Sequence, residues 1–175
     1  MVQNIDLTGV ERSFDETEFI VSKTDLKGRV TYANKLFIEI AGYSEQELLG
    51  QPHSLIRHPD MPRCIFKLLW DTIQDSQEVF AYVINKCKNG DHYWVHAHVT
   101  PSFGEAGNII AYHSTRRVPD RNIVQNTIIP LYQALKAEEE KYGNRKEGML
   151  KSGAMVADHL KQASVEYDEW VARLA

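Results

Sequence analysis

The spacing of hydrophobic positions divides the chain into a hairpin, a helical block, a second run of strands and a helical end. Apolar and β-branched residues at 19–25 and 29–34 flank a turn at Gly28, which predicts a β-hairpin. Residues 34–42 then switch to helical spacing. Ser44, with a glutamate three residues later, forms a capping-box pattern that predicts a second, short helix.

A longer amphipathic helix and three more strands follow. Apolar residues recur at helical spacing over 65–76. Segments 79–87, 92–100 and 109–116 are rich in β-branched and aromatic residues, and Asn89-Gly90 between the first two is typical of a tight hairpin turn. Strands that come in runs, separated by a helical block, indicate an α+β fold with an antiparallel sheet.

From residue 120 the chain is predicted to be helical. Pro130 lies inside helical spacing, which predicts a kink or a junction between two helices. The charged segment 138–148 contains glycines and is predicted to be a linker. Ser164 is predicted to cap the N-terminus of a last short helix. We therefore expect an N-terminal cap segment at 1–18, an α+β domain at 19–119 and a C-terminal helical extension at 120–175.

Composition and charge argue against several classes of protein. The formal net charge is −4 and the pI is about 6.0, which gives no support for nucleic-acid binding or for binding to anionic membranes. No apolar run approaches the ~20 residues that a membrane helix needs, and residues 1–15 do not resemble a secretory signal. The two cysteines, Cys64 and Cys87, lack the spacing of metal ligands. A cytoplasmic protein is the simplest expectation.

The sequence contains no pattern that indicates catalysis. We find no nucleophile–base pair, no phosphate-binding glycine loop and no set of metal ligands. His96 and His98 share one strand face, but no carboxylate or cysteine joins them at a recognisable metal-ligand spacing. We therefore predict no enzyme activity, no catalytic residue and no metal site.

The hexapeptide at residues 57–62 is the most informative stretch. Prolines on both sides of its acidic residue disfavour a helix, so it is predicted to be a stiff loop that displays Arg57, His58 and Asp60. Such a loop suits a phosphate-bearing ligand. It equally suits a turn with a surface ion pair worth about 0–1 kcal/mol, so the residue types alone leave both interpretations open.

Four separated phrases carry a resemblance to a known family. They are Gly50-Gln-Pro-His53, Arg57-His-Pro-Asp-Met-Pro62, Lys88-Asn-Gly-Asp-His-Tyr-Trp-Val95 and Pro130-Leu-Tyr-Gln-Ala-Leu135. With the order of elements, they make residues 20–137 resemble the PAS sensor domain of bacterial aerotaxis receptors. The resemblance implies a PAS fold, a five-stranded antiparallel sheet whose helices wall a ligand pocket. It also implies non-covalent FAD and the reporting of redox or oxygen state to the chemotaxis machinery.

The resemblance also implies which residues contact the cofactor. Trp70 equally suits the core, and Asn34 equally suits a helix cap. The family often has a tryptophan where this chain has Val79, which suggests weaker binding or a different pose. The implied cofactor-binding residues are Arg57, His58, Asp60, Asn85, Trp70, Asn34 and His53.

Other cofactors and modes of action stay open. FMN is one alternative; haem is another, with His53, His58 or His113 as a candidate axial ligand. Cys64 lacks the Asn-Cys-Arg-Phe-Leu-Gln context of light sensors, so we expect a buried thiol there. The second function class is a PAS interaction module that binds another small molecule, or none.

Signalling is expected to pass through helices to a protein partner. The receptors continue into a membrane anchor and a signalling coiled coil, neither of which this chain shows, so we expect a detached sensor or one that contacts a chemotaxis-type partner. We also expect a homodimer formed by the flanking helices.

Overall fold

The structure, a computed structural model, describes residues 6–174, so the first five residues of the expected N-terminal cap segment lie outside it. The chain forms two compact units. The first contains the described residues up to His58 together with Thr72–Val118, and the second contains Pro59–Asp71 and the described residues from Pro119 onward. Residues 59–71 thus group with the C-terminal helices, which the spacing of hydrophobic positions does not predict.

The first unit is built on a five-stranded antiparallel sheet, as predicted. Its spatial order is β2-β1-β5-β4-β3, so the first and last strands in the chain order lie inside the sheet while β2 and β3 form its edges. The strands are β1 (Ile20–Thr24), β2 (Val30–Ala33), β3 (Val79–Lys86), β4 (His92–Phe103) and β5 (Ile109–Arg117).

Strand register determines which side chains share a face. Asn85 pairs with Tyr93, and Arg116 pairs with Ala97, four residues further along β4 than Tyr93. Because paired residues lie on the same face and side chains alternate with period two, Asn85, Tyr93 and Arg116 all lie on one face of the sheet. We call this face the inner face. Val79 is buried on it as well.

Three short helices follow the β1–β2 hairpin. They are α1 (Lys35–Ala41), α2 (Glu45–Leu48) and a 3₁₀ helix, His53–Ile56. The first ends at Gly42, whose φ of 73° is the left-handed conformation that glycine adopts without strain. The second begins with the predicted capping box between Ser44 and Glu47, which is confirmed.

The described part of the N-terminal segment lies along the β3–β4 turn. The Thr8 N–H donates to the Gly90 carbonyl over 3.0 Å, and the Arg12 N–H donates to the His92 carbonyl over 2.7 Å. A Cβ on residue 90 would lie 2.0 Å from the Asp6 carbonyl oxygen. The backbone of Gly90 also has a φ of 94°, which other residues rarely adopt. The predicted Asn-Gly turn therefore needs its glycine for close packing as well as for its backbone conformation.

The C-terminal half is helical. The helix α3 (Arg63–Gln74) belongs to both units, and the later helices to the second. Pro130 lies in the first turn of a helix that directly follows a π-helical segment, which confirms the predicted junction. Among residues 6–174, no helix has the length and hydrophobicity that a membrane span needs. The later elements are α4 (Arg121–Ile123), the π-helical Val124–Ile128, α5 (Ile129–Glu140), α6 (Arg145–Ala163) and α7 (Tyr167–Leu174).

Two predictions in this half are wrong. The expected linker at 138–148 is mostly helical, since α5 continues to Glu140 and α6 starts at Arg145. Its charged appearance is misleading because Glu139 is buried and bonded to other helices. Ser164 does not cap α7: its φ of 54° ends α6 instead, and its N–H donates to the Leu160 carbonyl.

Candidate functional site

The first residue of the 57–62 loop lies beside the edge strand β3. Arg57, half-buried at the start of the loop, forms an isolated antiparallel bridge with Asn85. Asn85 is itself buried and faces inward. The structure therefore brings together two of the residues that the resemblance implies, from segments nearly thirty positions apart in the sequence.

The remaining implied residues near this loop belong to different units of the chain. His58 is buried, and its ring centroid lies 5.6 Å from that of His92. Asp60 is exposed and Trp70 is half-buried, and both belong to the second unit. Their contact with a cofactor stays a prediction.

The side chain of Asn34 has a structural role. Its amide oxygen accepts from the Phe37 N–H over 3.2 Å and from the Val21 N–H over 3.0 Å, and its amide nitrogen donates to the Phe19 carbonyl over 2.7 Å. Asn34 therefore caps α1 and ties it to β1, which confirms the capping alternative. A contact of Asn34 with cofactor remains a prediction.

The most heavily bonded side chain on the inner face is Arg116. Its Nε donates to the Ser114 hydroxyl over 2.9 Å, and its Nη2 donates to His53 Nε2 over 3.0 Å and to the Ser22 hydroxyl. The Phe37 ring centroid lies 4.9 Å from the guanidinium carbon, in a cation–π contact. We call Arg116, His53, Ser22, Ser114 and Phe37 the Arg116 cluster.

Charge in this cluster is concentrated on one group. Burial and the neighbouring Arg116 charge lower the pKa of His53 to about 3, so its imidazole is neutral at neutral pH. Burial lowers the pKa of Arg116 to about 10, which still leaves the guanidinium charged. Because arginine only donates, His53 must accept at Nε2 and carry its proton on Nδ1. The cluster is therefore a buried cation held by neutral acceptors.

Two polar atoms of the inner face have no hydrogen-bond partner among the described residues. They are Arg116 Nη1 and the Tyr93 hydroxyl, and both residues are at most 2% exposed. Burial also raises the pKa of Tyr93 well above its ordinary value, so the hydroxyl keeps its proton as a donor. Unpaired buried donors cost about 1–3 kcal/mol each, and they identify a place where a ligand with acceptor atoms fits.

The sequence resemblance points to His53 and Asn85 but not to Arg116 or Tyr93. One signal was available: Arg116 and Arg117 are adjacent on a strand, so one of them has to point inward. The sequence does not reveal which arginine this is, because that depends on the register of β5 against β1 and β4.

The outer face of the sheet carries the remaining strand histidines. His98 stacks on Phe80 at 4.2 Å between ring centroids, and His96 stacks on Tyr82 at 4.8 Å. His113 also lies on this face, opposite to Arg116. Within residues 6–174 no group of three or more potential ligands is placed to hold a metal ion. His96 and His98 thus pack on aromatic rings, while His113 Nε2 lies 3.1 Å from the Thr115 hydroxyl.

The His53 environment predicts a pH dependence of stability. The unfolded chain protonates His53 near its ordinary pKa of 6.5, whereas the folded chain does so only near 3. The unfolded state thus binds more protons between these values, and stability falls as the pH drops below about 6.5, by up to ~1.4 kcal/mol per unit. We expect His53→Gln to remove this part of the slope in urea denaturation at pH 7, 6 and 5. Parallel pH profiles for the two proteins would contradict the assignment.

Comparison with known proteins identifies the fold of this region. Residues 30–116 match the family model for the PAS fold. The aerotaxis receptor of Escherichia coli is 44% identical over 119 residues, which cover 67% of this chain and 23% of the receptor. The nitrogen fixation regulatory protein of Klebsiella pneumoniae is 30% identical over 103 residues, or 59% of this chain and 21% of that protein. This chain thus spans about a quarter of the length of these curated relatives or less.

A solved structure agrees on the fold. The blue-light photoreceptor Aureochrome1 LOV superposes with a TM-score of 0.56 at 20% identity, covering 62% of this chain and 88% of the other. The sheet order, the family match and the relatives agree with one another and with the resemblance carried by the four sequence phrases. Residues 30–116 therefore have the PAS fold, and the chain is similar over 119 residues to the aerotaxis receptor.

Proposed function

We propose that this chain is a flavin-binding sensor that holds FAD against the inner face of its sheet and reports oxygen or redox state to a protein partner. The observation that carries the proposal is the pair of buried, unpaired donors on Arg116 and Tyr93, on the same face as Asn85. An isoalloxazine ring needs an apolar slot with a few polar groups along one edge. The similarity to the aerotaxis receptor supports a flavin as the occupant.

The residues near the inner face match the parts of such a ligand. An amide offers both a donor and an acceptor, so Asn85 suits the polar edge of the ring. Arg57, bridged to Asn85, suits the pyrophosphate through a forked, charge-assisted contact. We assign His58 to the same ligand on the resemblance, and the cofactor contacts of Asp60 and Trp70 stay predictions. The flavin supplies redox chemistry, and the protein residues bind and orient it and respond to its change of charge.

The absorption spectrum of the purified protein tests the proposal. A yellow protein with oxidised-flavin bands supports it, and chromatography of the released cofactor then distinguishes FAD from FMN. A Soret band would mean haem instead. A colourless, folded protein that takes up no added FAD or FMN would overturn the proposal and favour a PAS interaction module.

Substitution of Asn85 tests the site itself. We expect Asn85→Ala to lower flavin content, because a bidentate partner at the ring edge is lost while the fold is kept. The matched control is Asn108→Ala, at an exposed position in the β4–β5 turn. If both variants kept wild-type flavin content and the wild-type response to reduction, Asn85 would not be a ligand contact.

The proposed output is protein–protein contact through the helices outside the sheet, in a cytoplasmic homodimer that a chemotaxis-type partner reads. Chains that end near residue 137 and near residue 120 test the dimer by their mass in solution. Loss of the dimer only in the shorter chain would locate the contact between these two points. A monomeric 175-residue chain would contradict it.

A further inference from the structure

Arg116 is a buried charge without a counter-charge. Its residue is 2% exposed, and no ion pair joins it to a carboxylate among residues 6–174. Its three bonded partners, His53, Ser22 and Ser114, are neutral acceptors. Burial of a charge is costly unless it is paired, and an arginine cannot escape the cost by losing its proton at neutral pH. A hydrophobic core needs no such group, so the uncompensated charge calls for another explanation.

The unused donors lie on one part of the guanidinium. Nε and Nη2 make the three hydrogen bonds, while Nη1 makes none, and the Phe37 ring lies 4.9 Å from the guanidinium carbon. The Tyr93 hydroxyl, also unpaired, is close enough for the Arg116 charge to influence it. The cluster thus holds the guanidinium through Nε and Nη2. Nη1 and the Tyr93 hydroxyl remain as donors for a ligand on the inner face.

We propose that Arg116 Nη1 and the Tyr93 hydroxyl bind the acceptor edge of the ligand and stabilise it most strongly when that edge carries negative charge. This deepens the proposed function and rests on it. Uptake of two electrons and one proton leaves an isoalloxazine with one negative charge, and an external reductant supplies the electrons. A buried cation favours the charged form more than the neutral one, since low local polarity strengthens the attraction.

His53, Ser22 and Ser114 are positioning residues in this scheme. Each holds the guanidinium without neutralising it, because each accepts as an uncharged group. A carboxylate in any of these places would cancel the charge that the ligand is to meet. The neutral state of His53 at neutral pH therefore preserves the effect.

The test is a reductive titration with dithionite, combined with FAD binding in both redox states. We expect Arg116→Gln to lose at least about tenfold in the preference for reduced over oxidised FAD, which is a fall of roughly 30 mV in the midpoint potential of a two-electron couple. Arg116→Lys keeps the charge, so it should retain most of the preference while binding both states less tightly. Tyr93→Phe, which removes only the hydroxyl, should shift the potential in the same direction by less.

The neighbouring Arg117 supplies a matched control. It is exposed and lies on the opposite face, so Arg117→Gln should leave the potential unchanged. If Arg116→Gln and Tyr93→Phe both keep the wild-type potential, or weaken both redox states equally, the proposal is overturned while the flavin function stands. If Arg116→Gln does not fold, Arg116→Lys and Tyr93→Phe decide by the same measurement. A wild-type protein that binds no flavin would overturn both proposals, and the two failures are therefore distinguishable.

Discussion

Replacement of Glu139 by alanine is expected to lower the free energy of unfolding by about 3 kcal/mol. The side chain is fully buried in the second unit. Its Oε1 accepts from the Cys64 N–H and from the Ser152 hydroxyl, each over 3.1 Å, and its Oε2 lies 3.7 Å from Arg63 Nη1. Alanine would leave the buried Cys64 N–H without its acceptor and the Ser152 hydroxyl with the Met149 carbonyl alone, and hydrogen bonds to charged groups contribute about 1.5–3 kcal/mol each.

Two further variants separate the charge from the packing. Glu139→Gln keeps an acceptor oxygen and the volume, so we expect a loss of roughly 1–2 kcal/mol. Glu140→Ala removes the next carboxylate of α5, which is exposed and 3.6 Å from Lys136, and should cost no more than ~0.5 kcal/mol. Urea denaturation followed by far-UV circular dichroism measures all three. Equal midpoints for Glu139→Ala and Glu140→Ala would refute the role of the buried carboxylate.

The contrast between Glu139 and Arg116 supports the different roles that we give them. Glu139 has a basic partner and two donors from neighbouring helices, so its charge is compensated within its own unit. Both residues keep one buried atom without a hydrogen bond, Oε2 of Glu139 and Nη1 of Arg116, but among residues 6–174 the hydrogen-bond partners of Arg116 are all neutral. A compensated buried charge needs no ligand to explain it, and an uncompensated one does.

The elements of the fold that the sequence predicts are those set by local chemistry. The Asn89-Gly90 turn, the capping box at Ser44 and the glycine that ends α1 each depend on residues a few positions apart. Together with the alternation of the strands, they are enough to predict an antiparallel five-stranded sheet. The family resemblance adds the PAS topology, which the structure and the family match confirm.

The parts that the sequence does not predict depend on distant partners. The segment around Glu139 looks like an exposed linker because charged residues rarely lie in a core, and its burial depends on Cys64, 75 positions away. Ser164 resembles an N-cap, yet a left-handed residue can equally end the preceding helix. The inward direction of Arg116 is set by its pairing with Ile20 and Ala97, which only the assembled sheet determines.

Two glycines of α6 should respond to the same substitution with opposite signs. A Cβ on Gly148 would lie 2.4 Å from the backbone carbonyl oxygen of Glu139, which cannot move without displacing α5. A Cβ on Gly153 would lie 3.8 Å from the Cys64 Cβ, an ordinary van der Waals distance. Both positions are helical, so alanine gains up to about 1 kcal/mol of helix propensity at each.

We therefore expect Gly148→Ala to destabilise the protein by about 1–3 kcal/mol, because the clash outweighs the gain in propensity. Gly153→Ala should stabilise it by up to about 1 kcal/mol, because the new methyl group meets no obstacle. The urea midpoints of the two variants and of wild type test both expected changes in stability. Stabilisation by both substitutions would mean that α5 and α6 do not approach as closely as the Gly148 contact requires, since helix propensity would then be the only effect at work.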